Sequence, residues 1–258
     1  MLMKISVMQP DLEWEDKIAN FARLEKLIKP IFNKTDIVIL PEMFSTGFSM
    51  NSEKLSESVR QETFQWMNKM SQNGNFGLCG SYIVKENEQF FNRLVFVTPE
   101  KEYWHYDKRH LFSIGGEDKY YSPGKSRLVF TFRGVRISPF ICYDLRFPVW
   151  SRNRNDCDLI IYSANWPESR REVWNILLKA RAIENQCYVA GSNRIGKDGS
   201  SIKYCGDSTI VSPRGEIIGS CISNEQGFVT TEISMTDLSD FRNKFAVQKG
   251  ADNFSIDY

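Results

Sequence analysis

The sequence predicts an α/β fold with mixed sheets, and three observations support that fold class. Alternating apolar positions near the N-terminus are followed by apolar residues at helical spacing, the pattern of a strand and then a helix. A second unit of the same kind follows directly. In the middle of the chain, apolar runs are joined by short polar turns, which indicates antiparallel hairpins. Together these patterns favour one domain in which helices cover mixed sheets.

The first two strand–helix units occupy the N-terminal third of the chain. KISVMQ predicts the first strand, and a helix follows it. The apolar residues of that helix recur at helical spacing: Trp14, Ile18, Phe21, Leu24 and Ile28. The apolar run DIVIL predicts a second strand, which Pro41 ends. A second helix around 57–70 then leads to a strand at 76–84.

Hairpins and a second series of strands and helices fill the rest of the chain. The segments 90–106 and 126–143 each predict a strand pair joined by a short turn. The later elements are predicted to be a strand at 158–165, a helix at 169–186, a strand at 187–193 and a strand pair at 208–219. No linker, low-complexity tract or coiled-coil run interrupts them, so we expect one domain over 1–258. The tail from about residue 243 has little periodicity and is expected to dock on a partner or fray.

Charge and composition exclude several classes of partner. The 33 Lys and Arg residues balance 32 Asp and Glu residues, which leaves a formal charge of +1. No summed field attracts nucleic acid or an anionic membrane, so a small molecule is the expected partner. Because the N-terminus has no apolar core of signal-peptide length and no window approaches a membrane span, we expect a soluble cytoplasmic protein. The six scattered cysteines form no C-x-x-C pair, and this pattern indicates neither a disulfide framework nor a zinc site.

Reactive side chains follow three of the predicted strands. Glu42 follows DIVIL, Lys108 follows EYWHY and Cys142 ends SPFIC. Ligands of open α/β sheets bind beyond the carboxyl ends of the strands, so a carboxylate, a cation and a thiol would meet there. These groups suffice for acyl transfer through a thioester, in which the carboxylate takes the thiol proton while an ammonium and a backbone N–H stabilise the oxyanion. That chemistry needs no metal or other cofactor. A nearby cation such as Lys108 would also favour the thiolate.

The motifs ILPEMFSTGF, YDKRHLF and ICYDLRFP, in this order, resemble the Glu, Lys and Cys motifs of the nitrilase superfamily. WNILLKARAIENQCYVAGSNR and GDSTIVSPRGEII resemble its later landmarks, so the resemblance covers nearly the whole chain. It implies an αββα sandwich that pairs as a homodimer or a larger homo-oligomer. It also implies Glu42 as general base, Lys108 as oxyanion stabiliser and Cys142 as nucleophile, with the Tyr143 backbone N–H as second oxyanion donor.

A second carboxylate often belongs to the site in this superfamily. Glu117 is the best candidate and Asp118 its neighbouring rival, because Gly115 and Gly116 let this loop turn inward. The alternative for Glu117 is a solvated loop carboxylate.

Two further residues are candidates for substrate binding. Arg146 can hold a substrate carboxylate bidentately, or it can form an ion pair, for instance with Asp144. Trp166 can form a wall over a flat amide, or it can pack in the core. The pair Arg181 and Glu184 on the predicted helix is expected to be structural.

The pieces CYDLRFP, SANWP and RAIENQ are most similar to the omega-amidase branch of the superfamily. This resemblance implies hydrolysis of the terminal amide of a small 2-oxo or dicarboxylic acid monoamide, with release of ammonia. An N-carbamoyl amino acid amidohydrolase remains an alternative with the same catalytic residues. A true nitrilase and a non-catalytic scaffold on the same fold are further alternatives, since fold does not fix function.

Overall fold

The computed structural model describes residues 1–256, and the fifteen strands found in them form three sheets. In chain order the strands are β1 Leu2–Gln9, β2 Ile37–Ile39, β3 Glu57–Ser58, β4 Gly77–Glu86, β5 Gln89–Val97, β6 Tyr103–Asp107, β7 Phe130–Phe132, β8 Val135–Ile141, β9 Leu159–Ala164, β10 Tyr188–Asn193, β11 Ile195–Lys197, β12 Lys203–Cys205, β13 Thr209–Val211, β14 Ile217–Ser220 and β15 Gly227–Ser234. The α-helices are α1 Lys17–Ile28, α2 Ser52–Leu55, α3 Glu62–Gly74, α4 Arg171–Asn185 and α5 Met235–Lys244.

Both large sheets mix parallel and antiparallel pairs, as the sequence predicts. The first sheet has the order β15-β1-β2-β4-β5-β6, with β3 beside β4, and its β1, β2 and β4 run parallel. The second sheet has the order β14-β13-β10-β9-β8-β7, with β8, β9 and β10 parallel. Because β5 runs antiparallel to both β4 and β6, β6 points in the same direction as β2. The ends of β2 and β6 therefore lie at the same edge of the first sheet.

The two sheets pack face to face, and helices cover their outer faces. Alternation along β2 shows the arrangement, because successive side chains of a strand point to opposite faces. Ile37 and Ile39 belong to the apolar cluster that joins both sheets, whereas Val38 packs in the cluster that contains α1 and α3. On the other side of the molecule, α4 buries Trp174 and Leu178 against the second sheet. The layers are therefore helix, sheet, sheet and helix.

The first helix is shorter than its apolar pattern predicts. Asp16 caps α1 by accepting a hydrogen bond from the Ala19 N–H at 3.0 Å, which fixes the helix start after Trp14. Ile18 is 75% exposed, so it is not part of the buried stripe. Phe21, Leu24 and Ile28 are buried as an i, i+3, i+7 stripe. The pattern predicts this helix correctly, but two of its five apolar positions lie outside the core.

Several elements have no counterpart in the sequence prediction, namely α2, β3, α5, β15 and the hairpin of β11 and β12. β15 pairs antiparallel with β1 at the edge of the first sheet, and β11 and β12 form a separate hairpin. β15 has mostly partly exposed or exposed residues, and each hairpin strand has three residues, so neither shows a clear apolar alternation. The tail forms a short 3-10 turn at Val247–Gly250 and then has no regular structure up to residue 256. In the part of the chain that the structure describes, no helix has the length and apolar character needed to cross a membrane.

Candidate active site

The structure brings Glu42, Lys108 and Cys142 together between the two sheets. Glu42 follows β2, Lys108 follows β6 and Cys142 follows β8. The Lys108 Nζ lies 2.7 Å from the Glu42 Oε1, and both side chains are 1% exposed or less. All three residues line one cavity of about 160 Å³. The three reactive residues that follow predicted strands therefore lie together around one cavity, as the sequence argument expects.

Glu117 is the second carboxylate of this cluster. Its Oε2 lies 2.8 Å from the Lys108 Nζ and accepts a hydrogen bond from the Phe112 N–H at 2.6 Å. Glu117 is fully buried, whereas Asp118 is exposed. The positive φ of Gly116, +77°, lets the loop turn Glu117 inward, where a residue with a side chain would be strained. The geometry favours Glu117 over Asp118.

Glu42, Lys108 and Glu117 form a polar floor of the cavity. Two asparagines complete this floor, and the sequence analysis missed both. The Asn92 amide donates to the Glu42 Oε1 at 2.8 Å and to the Glu117 Oε1 at 3.2 Å. The Asn165 backbone N–H donates to the Glu42 Oε2 at 2.9 Å. Asn92 lies inside β5, where alternation predicts only a strand residue. Asn165 follows β9, so the strand-end argument applied to SANWP would have found it.

Opposite charges hold the floor together. Burial disfavours the Lys108 ammonium, but the charges of Glu117 and Glu42 outweigh burial and raise the Lys108 pKa. Burial raises the Glu117 pKa, and Glu42 adds to that rise while Lys108 opposes it. Lys108 is therefore charged at neutral pH and held between two carboxylates, so it can stabilise an oxyanion without first being protonated.

The Cys142 thiol sits at the start of a strained turn. Cys142 begins the 3-10 turn Cys142–Arg146 with φ of +42°, in the left-handed region that residues other than glycine rarely adopt. Its Sγ lies 3.8 Å from the Asn165 carbonyl oxygen. Because Tyr143 is the second residue of this turn, its N–H has no intrahelical acceptor and is available to an oxyanion.

The electrostatics of Cys142 differ from the simple expectation of a lysine-stabilised thiolate. Burial raises the Cys142 pKa, and the charge of Glu42 raises it further. Lys108 does lower this pKa, as the sequence argument expects, but its effect is outweighed. The resting thiol is therefore protonated at neutral pH, and a nucleophile can form only if a base takes the proton during the reaction.

Asp144 braces the turn that carries Cys142. Its Oδ2 accepts hydrogen bonds from the Tyr106 hydroxyl at 2.8 Å and from the Ile141 N–H at 3.1 Å. Its Oδ1 accepts the His110 N–H at 2.9 Å and lies 2.8 Å from the His110 Nδ1. Asp144 thus connects β6 and its following loop to the end of β8. It does not pair with Arg146, so the ion pair considered from the sequence is absent from residues 1–256.

The pair Arg181 and Glu184 is structural, as the sequence predicts. The Arg181 Nη1 lies 2.9 Å from the Glu184 Oε1. The same guanidinium donates a hydrogen bond to the Leu145 carbonyl at 2.6 Å, so α4 also braces the Cys142 turn.

The outer part of the cavity contains Arg146 and Trp166. The Arg146 guanidinium carbon lies 5.3 Å from the centre of the Trp166 ring. Trp166 is 3% exposed, belongs to the apolar core and also lines the cavity. The sequence analysis missed two lining features, namely Arg170 and the β11–β12 hairpin, whose loop contributes Asp198 and whose strand β12 contributes Tyr204.

A helix–sheet–sheet–helix sandwich with a Glu, Lys and Cys cluster at its strand ends defines a carbon–nitrogen hydrolase. The chain belongs to the carbon-nitrogen hydrolase family, whose model matches residues 4–243. It is a hydrolase of non-peptide carbon–nitrogen bonds, an amidohydrolase. Its fold is the αββα sandwich of the nitrilase superfamily, as the resemblance implied.

Curated and solved relatives agree with this assignment. Omega-amidase YafV from Escherichia coli is 41% identical over 254 residues, which is 98% of each chain. A 2-oxoglutaramate amidase from Bacillus subtilis is 32% identical over 248 residues, 94% of this chain and 95% of that one. A CN-hydrolase superfamily protein from Xanthomonas campestris, crystallised with an arsenic adduct in its active site, superposes with a TM-score of 0.97. It is 37% identical, and the match covers 100% of both chains.

Proposed function

We propose that this chain hydrolyses the terminal amide of a small 2-oxo acid or dicarboxylic acid monoamide through a thioester on Cys142, with release of ammonia. The observation that carries the proposal is the buried Lys108 ammonium between Glu42 and Glu117, beside a thiol at a strained strand end. The names of the omega-amidase and 2-oxoglutaramate amidase relatives support the choice of substrate.

Acylation begins with proton transfer from the Cys142 Sγ to the Glu42 carboxylate. The sulfur attacks the amide carbon, and negative charge develops on the amide oxygen. Lys108 and the Tyr143 N–H stabilise this oxyanion. As the tetrahedral intermediate collapses, the carbon–nitrogen bond breaks and Glu42 returns its proton to the leaving nitrogen. Ammonia departs, and a thioester remains on Cys142.

Deacylation uses the same groups in the reverse roles. Glu42, ionised again, takes a proton from a water molecule that attacks the thioester carbon. The second tetrahedral intermediate expels the Cys142 sulfur, which regains a proton from Glu42, and the carboxylic acid product leaves. Glu117 and Asn92 touch the reacting groups only through Glu42 and Lys108, so we assign them to positioning and to keeping Lys108 charged. The cycle balances with water as the only co-reactant.

The cavity supports a short anionic substrate. Its volume is about 160 Å³. Drug-sized ligands need at least about 300 Å³. Arg146 lines the outer part and is proposed to hold the substrate carboxylate, and Trp166 is proposed to form a wall beside the amide.

Ammonia release from a panel of substrates tests the proposal. The purified protein should hydrolyse 2-oxoglutaramate and succinamate faster than butyramide, and faster than N-carbamoyl amino acids and nitriles. Carbon dioxide released together with ammonia from a carbamoyl amino acid, with no activity on amides, would instead identify a carbamoyl amino acid hydrolase. Absence of turnover on every compound would favour the non-catalytic scaffold and refute the proposal.

We also infer that the chain forms a homodimer in the cytoplasm. Ile176 and Ile183, seven residues apart on α4, are 61% and 54% exposed, and Val149 is 58% exposed. An apolar helix face of this kind is typical of an interface between copies. All six cysteines are free, which suits a reducing compartment. Light scattering should give twice the monomer mass, and Ile176→Glu should shift it toward the monomer. An unchanged dimer in Ile176→Glu would exclude this face.

A further inference from the structure

Arg170 is a second guanidinium at the outer part of the cavity. It ends the 3-10 turn Glu168–Arg170 that precedes α4, and it lines the same cavity as Arg146. Its guanidinium carbon lies 5.2 Å from the centre of the Phe112 ring. Its neighbour Arg171 points elsewhere and pairs with Asp207 at 3.1 Å. Of these two consecutive arginines, Arg171 forms an ion pair and Arg170 lines the cavity.

Neither cavity guanidinium has an anionic partner. Within residues 1–256, no carboxylate lies within ion-pair distance of Arg146 or Arg170, and neither guanidinium donates a hydrogen bond. Most other arginines of the protein are paired, for example Arg93 with Asp107 at 2.6 Å. Arginine donors that the protein leaves unpaired in a cavity are available to a ligand.

The charge of the outer cavity favours an anion. The charge of Lys108 is already balanced by Glu42 and Glu117. One further carboxylate, Asp198, lines the cavity, and its oxygens accept hydrogen bonds from neutral donors, including the Tyr204 hydroxyl at 2.8 Å. Two guanidinium groups against one carboxylate leave the outer cavity net positive.

Trp166 connects the two arginines. The Arg146 guanidinium lies over its ring, and its Nε1 donates a hydrogen bond to the Arg170 carbonyl at 2.8 Å. The Trp166 N–H donates to Asn193 Oδ1 at 2.8 Å, which fixes the base of the wall. The backbone of Arg170 is therefore held against a rigid indole that also supports Arg146.

We propose that Arg170 is a specificity-determining residue that binds the 2-oxo end of the substrate together with Arg146. This inference rests on the proposed function. One guanidinium saturates the two oxygens of a carboxylate in a bidentate contact. A 2-oxo acid presents a third acceptor, the oxo oxygen, in nearly the same plane, and Arg170 supplies donors for it. The pair thus selects 2-oxo acid monoamides over monoamides of the same length that lack the oxo group.

The test compares 2-oxoglutaramate with glutaramate, which has the same length but no oxo group. Arg170→Met should lower kcat/KM for 2-oxoglutaramate about tenfold or more, because it removes a hydrogen bond from a charged donor, and should change kcat/KM for glutaramate much less. Arg170→Lys should restore only part of the loss, since a point charge lacks the planar fork. Arg154→Met, an exposed arginine outside the cavity, is the matched control and should behave as wild type.

The outcomes separate this inference from the function itself. Equal fractional losses on both substrates in Arg170→Met, or no loss on either, would overturn the role of Arg170 while wild-type amide hydrolysis still stands. Wild-type inactivity on both amides would refute the proposed function instead. Circular dichroism and the dimer mass of Arg170→Met must match wild type, and Arg170→Gln, which keeps a polar side chain, should reproduce the selective loss.

Discussion

The floor and the outer part of the cavity differ in how their charges are satisfied. On the floor, Glu42, Lys108 and Glu117 are at most 1% exposed, and the Lys108 Nζ pairs with both carboxylates at 2.7 and 2.8 Å. In the outer part, Arg146 and Arg170 are partly exposed, and in the described chain no carboxylate of the protein meets them. The charged groups of the floor are paired without a ligand, whereas the guanidinium groups of the outer part keep hydrogen-bond donors that no protein group in the described chain uses.

This difference separates chemistry from recognition. A preorganised charge network needs no reorganisation when charge develops in the transition state, so changes on the floor should lower kcat. Unsatisfied donors gain their partners only when substrate binds, so changes in the outer part should alter the preference between substrates. Each of the following variants tests that division.

Cys142→Ala should have the largest effect. Removal of the nucleophile is expected to lower kcat for 2-oxoglutaramate by on the order of 10⁴-fold or more, because covalent catalysis is lost as a unit. Mass spectrometry of the wild type with a slow amide should find an acyl adduct on Cys142. Cys221→Ser, a partly exposed thiol outside the cavity, is the matched control and should keep full activity. Undiminished turnover by Cys142→Ala would eliminate the thioester route.

Lys108→Met should have the next largest effect. Loss of one oxyanion donor typically lowers kcat by about 10² to 10³. The variant also leaves Glu42 and Glu117 without their shared cation, so ammonia release should be measured beside circular dichroism to separate lost chemistry from unfolding. Lys125→Met, an exposed lysine, should leave kcat unchanged. Near-normal kcat in Lys108→Met would move oxyanion stabilisation to other groups.

Arg146→Lys should have a smaller and selective effect. A charge-assisted bidentate contact contributes roughly 1.5 to 3 kcal/mol, which is about one to two decades in kcat/KM. The loss should appear with succinamate and not with butyramide, because only succinamate carries a distal carboxylate. Parallel losses on both substrates would assign Arg146 to the structure of the floor and break the division between the two regions.

The smallest measured change should be in the alkylation rate of the Cys142 thiol in Glu42→Gln, a variant whose kcat for amides should fall strongly. The Glu42 charge contributes to the raised Cys142 pKa, so its removal should lower that pKa and enlarge the thiolate fraction at neutral pH. Iodoacetamide should therefore alkylate Cys142 several-fold faster at neutral pH than in wild type, although amide turnover falls because the base is lost. The alkylation rate measured across a range of pH gives the midpoint of Cys142 thiol ionisation. An unchanged or higher midpoint in Glu42→Gln would contradict this electrostatic account.

Local sequence determined most of the strands, the long helices α1, α3 and α4, and the reactive residues Glu42, Lys108 and Cys142. Apolar alternation and helical spacing set β2, β6 and β8 because these patterns depend on neighbouring residues alone. Glu42 and Lys108 lie together because β2 and β6 run in one direction and end at one edge of the first sheet, whereas Cys142 follows β8 of the second sheet, which packs against the first. Gly115 and Gly116 also indicated that the loop carrying Glu117 could turn inward, but the sequence could not choose between Glu117 and Asp118 as the second carboxylate.

Tertiary structure alone decided which polar residues meet. Asn92 reaches Glu42 across 50 residues of chain, and the Asn165 N–H reaches Glu42 across 123, and no local pattern encodes such a contact. Arg170 and Arg171 are identical neighbours in the sequence, yet one lines the cavity and the other meets Asp207. Sheet pairing and helix packing fix where each side chain points. Burial of the resulting cluster then sets its charge states, because desolvation depends on every layer that covers it.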